Sequence, residues 1–428
     1  MRLIYTLLYT LFTPLIVLRL IWRARRDRRY AQGIPQRFAR HLPGAGRPDS
    51  RAPIWVHAVS LGEMRAVSPL LGELGSRGHA LWLTSTTPTG YAEAERQRAG
   101  AGNMPISVSR APLDLIGVQH RFHRAVRPAA LLMMETEIWP NQLAVCRALG
   151  VPSALINARL SERSLAGYRR ARWALGDLGW AVARSDADAA RFAELGVRRI
   201  EVGGDLKYDM PAASAEAERG RIWRERWGPD PLWIAGSTHP GEDEQALRAH
   251  RLLRQRDARM AGARLVLVPR HPERAASVLE LVRADGWRCV ELSGAADAPT
   301  LSQGDFEVAV VGATGLLVGL YAAGDAAWVG GSLVPRGGHN LYEPLAVGTP
   351  ALSGTHLHNF EPMRDALLEA GTLRLVQDAE QLARELARLM GPDRSEALRR
   401  IEAFRRVNGG AAERIRTIVE RMLAEGAD

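Results

Sequence analysis

Short apolar runs alternate with amphipathic segments along most of the chain, as they do in proteins whose strands and helices alternate. The runs of the first half are residues 54–59, 80–85, 129–134, 153–158, 180–185 and 199–204. Those of the second half are residues 231–236, 264–269, 307–311, 326–329 and 349–352. Such runs are continuously apolar because a parallel strand is covered on both faces of its sheet. The pattern predicts an α/β protein built on doubly wound parallel sheets.

The number of these runs exceeds what one sheet normally holds, and a chain of 428 residues is too long for one typical core. We therefore divide the sequence into three parts. Residues 1–29 form an N-terminal segment, residues 30–210 a first α/β domain, and residues 211–428 a second α/β domain.

The N-terminal segment is apolar from Leu3 to Trp22, with Arg19 as an interruption, and a cluster of arginines follows it. The cluster comprises Arg23, Arg25, Arg26, Arg28 and Arg29. A secretory signal carries its charge before the apolar stretch, whereas positive charge after the stretch keeps the following chain on the cytoplasmic side. The segment predicts a membrane anchor that either spans the bilayer or lies at its surface.

Composition narrows the possible partners. The net charge of +10 comes almost entirely from arginine, which suits an anionic membrane or a phosphorylated substrate. No nucleic-acid-binding motif accompanies this charge, and the two cysteines, Cys146 and Cys289, have neither disulfide nor metal-site spacing. Lys207 is the only lysine among 57 basic residues. Because arginine fills every other position, we interpret Lys207 as a retained functional ammonium group.

Three candidate residues follow predicted strands of the first domain, where open parallel sheets bind their ligands. Glu63 and Glu135 come shortly after the runs at 54–59 and 129–134, and Lys207 follows the run at 199–204. Glu63 has a second reading, because a glutamate in the first turn of a helix is stabilised by the helix dipole. The spacing leaves both readings of Glu63 open.

In the second domain, a stretch from Val329 to Pro350 contains the sequence Arg-Gly-Gly-His-Asn, and Glu343 lies one helical turn after Asn340. Glycines let backbone N–H groups approach an anion, and the glutamate can accept hydrogen bonds from sugar hydroxyls. An ordinary strand-to-helix turn is the structural alternative. The density of donors and acceptors favours a nucleotide-sugar site.

Taken in order, these segments resemble the bacterial Kdo transferases, which attach 3-deoxy-D-manno-octulosonic acid (Kdo) to a lipid A precursor. The resemblance covers nearly the whole chain and is carried by the apolar N-terminus and by residues 57–63, 134–141, 157–161, 206–209, 237–239, 269–273 and 330–343. It implies a GT-B fold, in which two Rossmann-like domains face a cleft, preceded here by a membrane-anchoring helix. It also implies inversion at the donor sugar without a metal or another cofactor.

By this resemblance Glu63 is the general base, and Glu135 and Lys207 assist the transition state. Residues 30–210 become the acceptor domain and residues 211–428 the CMP-sugar domain. The implied CMP contacts are Pro269, Arg270, Thr314, Gly315, Leu316, Asn340, Leu341, Tyr342 and Glu343. Family members commonly have Asp-Thr-x-Gly-Glu where this chain has Gly312 to Leu316. Both carboxylates are missing here, which leaves backbone contacts at Gly315.

The implied reaction moves Kdo from CMP-Kdo to lipid IVA in lipopolysaccharide biosynthesis, on the cytoplasmic face of the bacterial inner membrane. A CMP leaving group carries one phosphate, which fits the absence of a metal motif from the sequence. One alternative is another GT-B enzyme, such as a UDP-sugar epimerase or a transferase of lipid-linked sugars. Another is an inactive, membrane-bound lipid-binding protein of this fold, which the missing acidic pair keeps open.

Overall fold

The computed structural model of the protein describes residues 1–44, 52–209, 215–294, 300–301 and 304–425. It divides into two units, one comprising Met1–Asp209 with Asn408–Asp428 and the other comprising Met210–Val407. The predicted boundary between residues 210 and 211 lies outside the described residues. Each unit contains one seven-stranded sheet in which every pairing is parallel.

The sheet of the first unit is formed by β1 Ile54–His57, β2 Leu81–Ser85, β3 Ile106–Arg110, β4 Ala130–Met134, β5 Ser153–Ala158, β6 Trp180–Ala183 and β7 Arg199–Val202. Their order across the sheet is β3-β2-β1-β4-β5-β6-β7. The strand order reverses between β1 and β4, and doubly wound sheets bind ligands beyond the carboxyl ends of the strands at such a reversal. This point is called the first switch point below.

Helices cover both faces of this sheet. They are α1 Arg2–Ala24, α2 Ile34–Arg37, α3 Leu61–Ser76, α4 Pro88–Gly100, α5 Ile116–Val126, α6 Pro140–Ala148, α7 Glu162–Arg170 and α8 Asp186–Glu194. Hydroxyl side chains accept a backbone hydrogen bond at the start of four of them: Ser60, Thr87, Ser161 and Ser185. These caps fix where each chain segment leaves its strand and turns into a helix.

The second sheet is formed by β8 Leu232–Thr238, β9 Arg264–Pro269, β10 Cys289–Leu292, β11 Val308–Val311, β12 Ala326–Val329, β13 Ala351–Ser353 and β14 Leu373–Leu375, in the order β10-β11-β9-β8-β12-β13-β14. Its helices are α9 Ala215–Trp227, α10 Glu242–Arg256, α11 Ala275–Ala284, α12 Leu317–Ala323, α13 Tyr342–Ala346, α14 Glu361–Glu369, α15 Ala379–Leu389 and α16 Arg394–Asn408. The strand order reverses between β8 and β12, which defines the second switch point.

The C-terminal helix, α17 Ala411–Glu425, belongs to the first unit. The sequence prediction had assigned residues 211–428 to the second domain, so this part of the division was wrong. Gly410, with a φ of +76°, separates α16 from α17 in a backbone conformation that glycine adopts without strain. Arg414 Nε then donates to Gly203 O at 3.0 Å, and the buried Ile415 joins the core against β6 and α3.

Within the described residues, α1 is the one helix long and apolar enough to cross a membrane. Two polar side chains near its start bind the first unit, where Tyr5 Oη donates to Asp114 Oδ2 at 2.8 Å and Thr6 Oγ1 donates to Asn141 Oδ1 at 2.7 Å. Its exposed large apolar side chains are Leu3, Ile4, Leu7, Leu8, Leu11, Phe12, Leu15, Leu18, Ile21 and Trp22. The helix therefore has one side attached to the unit and an apolar outer side.

Candidate active site

Glu63 lies in the first turn of α3, directly beyond β1 at the first switch point. Ser60 caps the helix by accepting from Glu63 N, and its hydroxyl donates to Glu63 Oε1 at 2.8 Å. Val59 N donates to Glu63 Oε2 at 2.9 Å. This arrangement is close to a capping box, so the structural reading of Glu63 is correct. It also fixes the position of a half-buried carboxylate at the edge of the sheet where ligands bind.

Glu135 follows β4, on the other side of the first switch point. Its φ of +55° is in the left-handed region, which costs about 1–3 kcal/mol for a residue other than glycine and persists only where the surroundings enforce it. Its carboxylate lies between two cations, with Arg159 Nε 2.6 Å from Oε2 and Lys207 Nζ 3.6 Å from Oε1. The left-handed turn thus directs a nearly buried carboxylate towards both basic groups.

A second left-handed residue positions the segment that carries Lys207. Asn157 has a φ of +49° at an irregularity in β5, and its side-chain oxygen accepts from Leu206 N at 3.0 Å. Asp205 Oδ1 accepts from Lys207 N at 3.0 Å. Asparagine is one of the residues that adopt this conformation most readily, because its short side chain bonds locally. Asn157 was not among the predicted site residues.

Two carboxyl groups at the first switch point, Glu63 and Glu137, have a raised pKa. Burial raises the pKa of Glu63, and the charge of Glu135 adds to this rise. Burial and then the charge of Glu63 raise the pKa of Glu137 to about 7, although Trp139 Nε1 donates to its carboxylate at 3.1 Å. Like charges in a partly desolvated space favour protonation of one partner. Glu137 therefore takes up or releases a proton near neutral pH.

At the second switch point, two histidines meet beyond β8 and β12. His239 and His339 stack with their ring centroids 5.2 Å apart, and their Nε2 atoms are separated by 2.9 Å. Burial lowers the pKa of His339 to about 4 and also lowers that of His239. Both rings are therefore neutral near pH 7, and one donates a hydrogen bond to the other. The preceding Ser237 has a φ of +59° at an irregularity that ends β8.

Glu242 holds the two loops of this switch point together. Its carboxylate is fully buried and accepts from four backbone N–H groups: His239 N at 2.9 Å, Gly331 N at 2.7 Å, Ser332 N at 2.9 Å and Leu333 N at 2.9 Å. Hydrogen bonds to an ionised acceptor are stronger than those between neutral groups. The sequence did not predict this role, since three of the four donors are about ninety residues from Glu242 and nothing local marks that pairing.

The predicted nucleotide contacts follow three strands of the second unit, the neighbouring β9 and β11, and β12 on the other side of β8. Pro269 is the last residue of β9, and Arg270, which is exposed, donates from its backbone N to Thr238 O at 3.0 Å. The exposed Thr314 and Gly315 follow β11, and Gly315 has a φ of +81°. Arg270 acts electrostatically on His339, which places its guanidinium near the histidine pair.

The remaining predicted nucleotide contacts differ in whether their side chains can reach a ligand. The side chains of Leu316, Leu341 and Tyr342 are buried, so these residues can reach a ligand only through backbone atoms. Asn340 Nδ2 donates to Glu343 Oε1 at 3.2 Å, and its oxygen accepts from Tyr342 N at 3.1 Å. Asn340 and Glu343 therefore present a paired amide and carboxylate. Across the described ranges, no three His, Cys, Asp or Glu side chains are grouped as a metal site.

Sequence comparison identifies the family. A family model described as 3-deoxy-D-manno-octulosonic-acid transferase (kdotransferase) matches residues 32–210. The 3-deoxy-D-manno-octulosonic acid transferase of Bordetella pertussis is 37% identical over 423 residues, which cover 96% of this chain and 97% of that protein. The chain belongs to the Kdo transferase family. The Kdo transferase of Haemophilus influenzae, 33% identical and covering 92% of each chain, agrees with this assignment.

Comparison with solved structures supports the fold of this Kdo transferase family member. The UDP-GlcNAc 2-epimerase of Neisseria meningitidis, solved with UDP-GlcNAc bound, matches with a TM-score of 0.58 over 88% of this chain and 100% of that chain. The identity is 13%, so the match concerns the fold alone. The predicted GT-B class, with two parallel-sheet α/β domains and an N-terminal apolar helix, is confirmed.

The raised pKa of Glu137 predicts a change of stability with pH. A carboxyl group that titrates near 4.5 when unfolded and near 7 when folded binds more protons in the folded state between these values. Its ionisation therefore lowers the free energy of unfolding as pH rises from about 4.5 to about 7. After a reduction for partial exposure, we expect a loss of about 2 kcal/mol between about pH 5 and about pH 8 that Glu137→Gln does not undergo.

Urea unfolding at both pH values measures this difference. Glu162→Gln is the control, because Glu162 is a first-turn glutamate of the same unit whose side chain is 89% exposed. An identical pH dependence in the wild type and Glu137→Gln would mean that Glu137 titrates normally.

Proposed function

We propose that the protein transfers Kdo from CMP-Kdo to lipid IVA, with inversion at the Kdo anomeric carbon and without a metal. Membership of the Kdo transferase family supports the sugar. The observation that carries the proposed chemistry is the group at the first switch point, where Glu63, Glu135 and Lys207 meet beyond β1, β4 and β7. We assign acceptor activation to the first unit and CMP binding to the second.

In this mechanism Glu63 is the general base. It removes the proton of the acceptor hydroxyl while that oxygen forms a bond to the anomeric carbon of Kdo. The bond between this carbon and the phosphate oxygen of CMP breaks, and its electron pair leaves with the phosphate. A base is most effective when its pKa lies near the working pH, and burial moves the pKa of Glu63 upward in that direction. Ser60 and Val59 hold the carboxylate still while each oxygen keeps a further lone pair.

Glu135 and Lys207 assist in different ways. The ammonium group of Lys207 is partly exposed beside Glu135. It can therefore bind an anionic substrate group while it remains in contact with the Glu135 carboxylate. The donor sugar is itself an acid, and its carboxylate is the substrate group we assign to Lys207. Arg159 neutralises Glu135 from the other side. Groups fixed before substrate arrives require little reorganisation as charge develops.

For the second unit, we assign the CMP phosphate to Arg270 and to backbone N–H groups of the loops that Glu242 holds. The paired side chains of Asn340 and Glu343 suit the ribose hydroxyls. Thr314 and Gly315 have no acidic neighbour, so their contribution comes from the hydroxyl and the backbone. Neutral His239 and His339 leave the loop free of additional positive charge near pH 7.

The alternative hypothesis, a UDP-sugar epimerase, is supported by the fold alone, since the sequence of the matching epimerase is only 13% identical to this chain. The hypothesis of an inactive lipid-binding protein is not favoured by the first switch point, where Glu63, Glu135 and Lys207 are grouped. Mass analysis of products from CMP-Kdo and lipid IVA detects transfer, and a separate incubation with UDP-GlcNAc, followed by NMR because epimers have equal mass, detects epimerisation. Transfer from CMP-Kdo supports our proposal, whereas an epimerised UDP-sugar or no product would overturn it.

We also propose that α1 attaches the protein to the cytoplasmic face of the bacterial inner membrane, with the arginines of the 23–29 segment beside the anionic lipids. An apolar helix face and a basic cluster together bind more firmly than either alone. Removal of residues 1–29 is therefore expected to release the protein from sedimented membranes. A shortened chain that folds, as judged by its melting curve, and still sediments with membranes would contradict this anchor.

Glu63→Gln separates the catalytic role of Glu63 from its capping role. Glutamine can still accept from Val59 N, so the helix cap and the melting temperature should be nearly preserved. Loss of general-base catalysis should lower the rate of transfer at least about 10²-fold, with CMP affinity unchanged. The measurements are the initial rate with CMP-Kdo and lipid IVA, CMP binding, and a melting curve.

Glu162→Gln is the matched control, because Glu162 also follows a capping serine at the start of a helix in the first unit. It should keep the wild-type rate. If Glu63→Gln turns over within a few-fold of the wild type, Glu63 is only a helix cap.

A further inference from the structure

A cavity of about 820 Å³ lies in the first unit, away from the groups assigned to the reaction. It is bounded by α1, by the segment from α2 to His41, and by the first two turns of α5. This volume lies within the range of small-molecule and cofactor sites. The mechanism above does not use the cavity.

The lining has two chemical parts. The apolar part comprises Ile34, Pro35, Phe38, Leu115, Ile116 and Val118. The basic part comprises Arg40, His41 and Arg121, all of which are exposed. Thr6 and Thr10 complete the wall, and their hydroxyls already donate to Asn141 Oδ1 and Thr6 O at 2.7 Å each. An apolar interior with a positively charged edge is complementary to a lipid that carries an acyl chain and an anionic head group.

The backbone around Arg40 is held in an unfavourable conformation. Ala39 and His41, on either side of it, have φ values of +54° and +52°. Such conformations persist where the surrounding contacts enforce them, and they concentrate at ligand sites. Arg40 N donates to Pro35 O at 2.9 Å, and Arg121 Nη1 donates to Phe38 O at 2.8 Å. These bonds keep two arginines at the edge of one cavity.

The position of the cavity beside α1 connects it to the membrane. Tyr5 and Thr6 bind α1 to Asp114 and Asn141, so the helix lies against the unit with its apolar side outward. A helix held against its domain in this way can rest along a membrane surface with its apolar side in the lipid. A lipid at that surface can place one acyl chain in the cavity while its other chains stay in the apolar layer of the membrane.

A short series of contacts joins the cavity wall to Glu63. The buried Arg37, next to Phe38, donates from Nη2 to Thr86 O at 2.7 Å. Thr87 Oγ1 donates to Val59 O at 2.9 Å, and Val59 N donates to the Glu63 carboxylate. The cavity and the candidate base therefore belong to the same end of the first sheet. A ligand held by a chain in the cavity can extend its head group towards that end.

We propose that this cavity binds an acyl chain of the acceptor, a phosphorylated and acylated glycolipid, with an acceptor phosphate at Arg40 and Arg121. The identity of the acceptor rests on the proposed function. The cavity would position the acceptor hydroxyl by holding the lipid at a fixed depth beside α1. Ordinary anionic phospholipid, which has the same charge and chains but no sugar, is the alternative occupant that the experiment must distinguish.

Gly117→Leu tests the cavity with little risk to folding. Gly117 lines the cavity within α5, and a Cβ atom built on it meets no atom within 4 Å. Leucine there fills space and favours the helix. Gly167→Leu is the matched control, because Gly167 also lies within a helix of the first unit with nothing within 4 Å, and it does not line the cavity. Arg40→Gln with Arg121→Gln removes the basic edge.

The measurement is the affinity of the full chain for detergent-dispersed lipid IVA. It is obtained from the shift in melting temperature as the lipid concentration is increased. Phosphatidylglycerol in the same detergent is the second probe. We expect Gly117→Leu and the double arginine variant to weaken lipid IVA binding at least about tenfold, which corresponds to roughly two buried methylene groups. Gly167→Leu and the wild type should bind equally.

Unchanged lipid IVA binding by Gly117→Leu would overturn the proposal, and so would equal binding of phosphatidylglycerol and lipid IVA at the cavity. Failure of the proposed reaction gives a different result. If the wild type lacks transferase activity but binds lipid IVA in a Gly117-sensitive manner, the site stands and the reaction does not.

Discussion

The carboxylate of Glu135 lies between Arg159 at 2.6 Å and Lys207 at 3.6 Å, and the first switch point is organised around these two contacts. Without the two cations, a nearly buried carboxylate beside Glu63 and Glu137 would carry a large desolvation cost. With them, the carboxylate is ion-paired, and its charge adds to the rise that burial causes in the pKa of both neighbours. The ion-paired Glu135 thus contributes, after burial, to the raised pKa of two neighbouring carboxyl groups. Its left-handed backbone is part of the same constraint, because an extended conformation would direct the side chain elsewhere.

Much of the fold follows from the apolar runs, and the exceptions have a common cause. The central strands of both sheets are predicted because they are buried on both faces and therefore continuously apolar. Three strands are not predicted by an apolar run, and each lies at the edge of a sheet: β3, β10 and β14. Their sequences, ISVSR, CVEL and LRL, are short or contain polar residues, since an edge strand is partly exposed to solvent. The position of α17 was also missed, because packing between distant segments leaves no local pattern.

Among the residues of the candidate site, some are marked by the local sequence and others are recognised only in the tertiary structure. Lys207 stands out by composition alone, and Glu63 and Glu135 by their place after strands, so local sequence was sufficient to nominate them as candidates. Glu242 and Asn157 bind backbone groups from distant segments, and the sequence around each resembles an ordinary helix start or strand end. Such residues are recognised only when the tertiary structure reveals which N–H groups need an acceptor. The segments that we assign to the nucleotide come from family resemblance, and the structure distinguishes exposed Thr314 from buried residues such as Leu341 among them.

The account depends most on the geometry of one ammonium group, and Lys207→Arg tests it directly. Arginine keeps the charge but presents a planar fork, which would displace either Glu135 or the substrate anion. Misplacement of about 1 Å can lower a rate by about 10²-fold. We therefore expect the initial rate of Kdo transfer to fall by roughly that factor, with a melting curve close to that of the wild type. A rate within a few-fold of the wild type would contradict the role of Lys207 and, with it, the proposed organisation of the site.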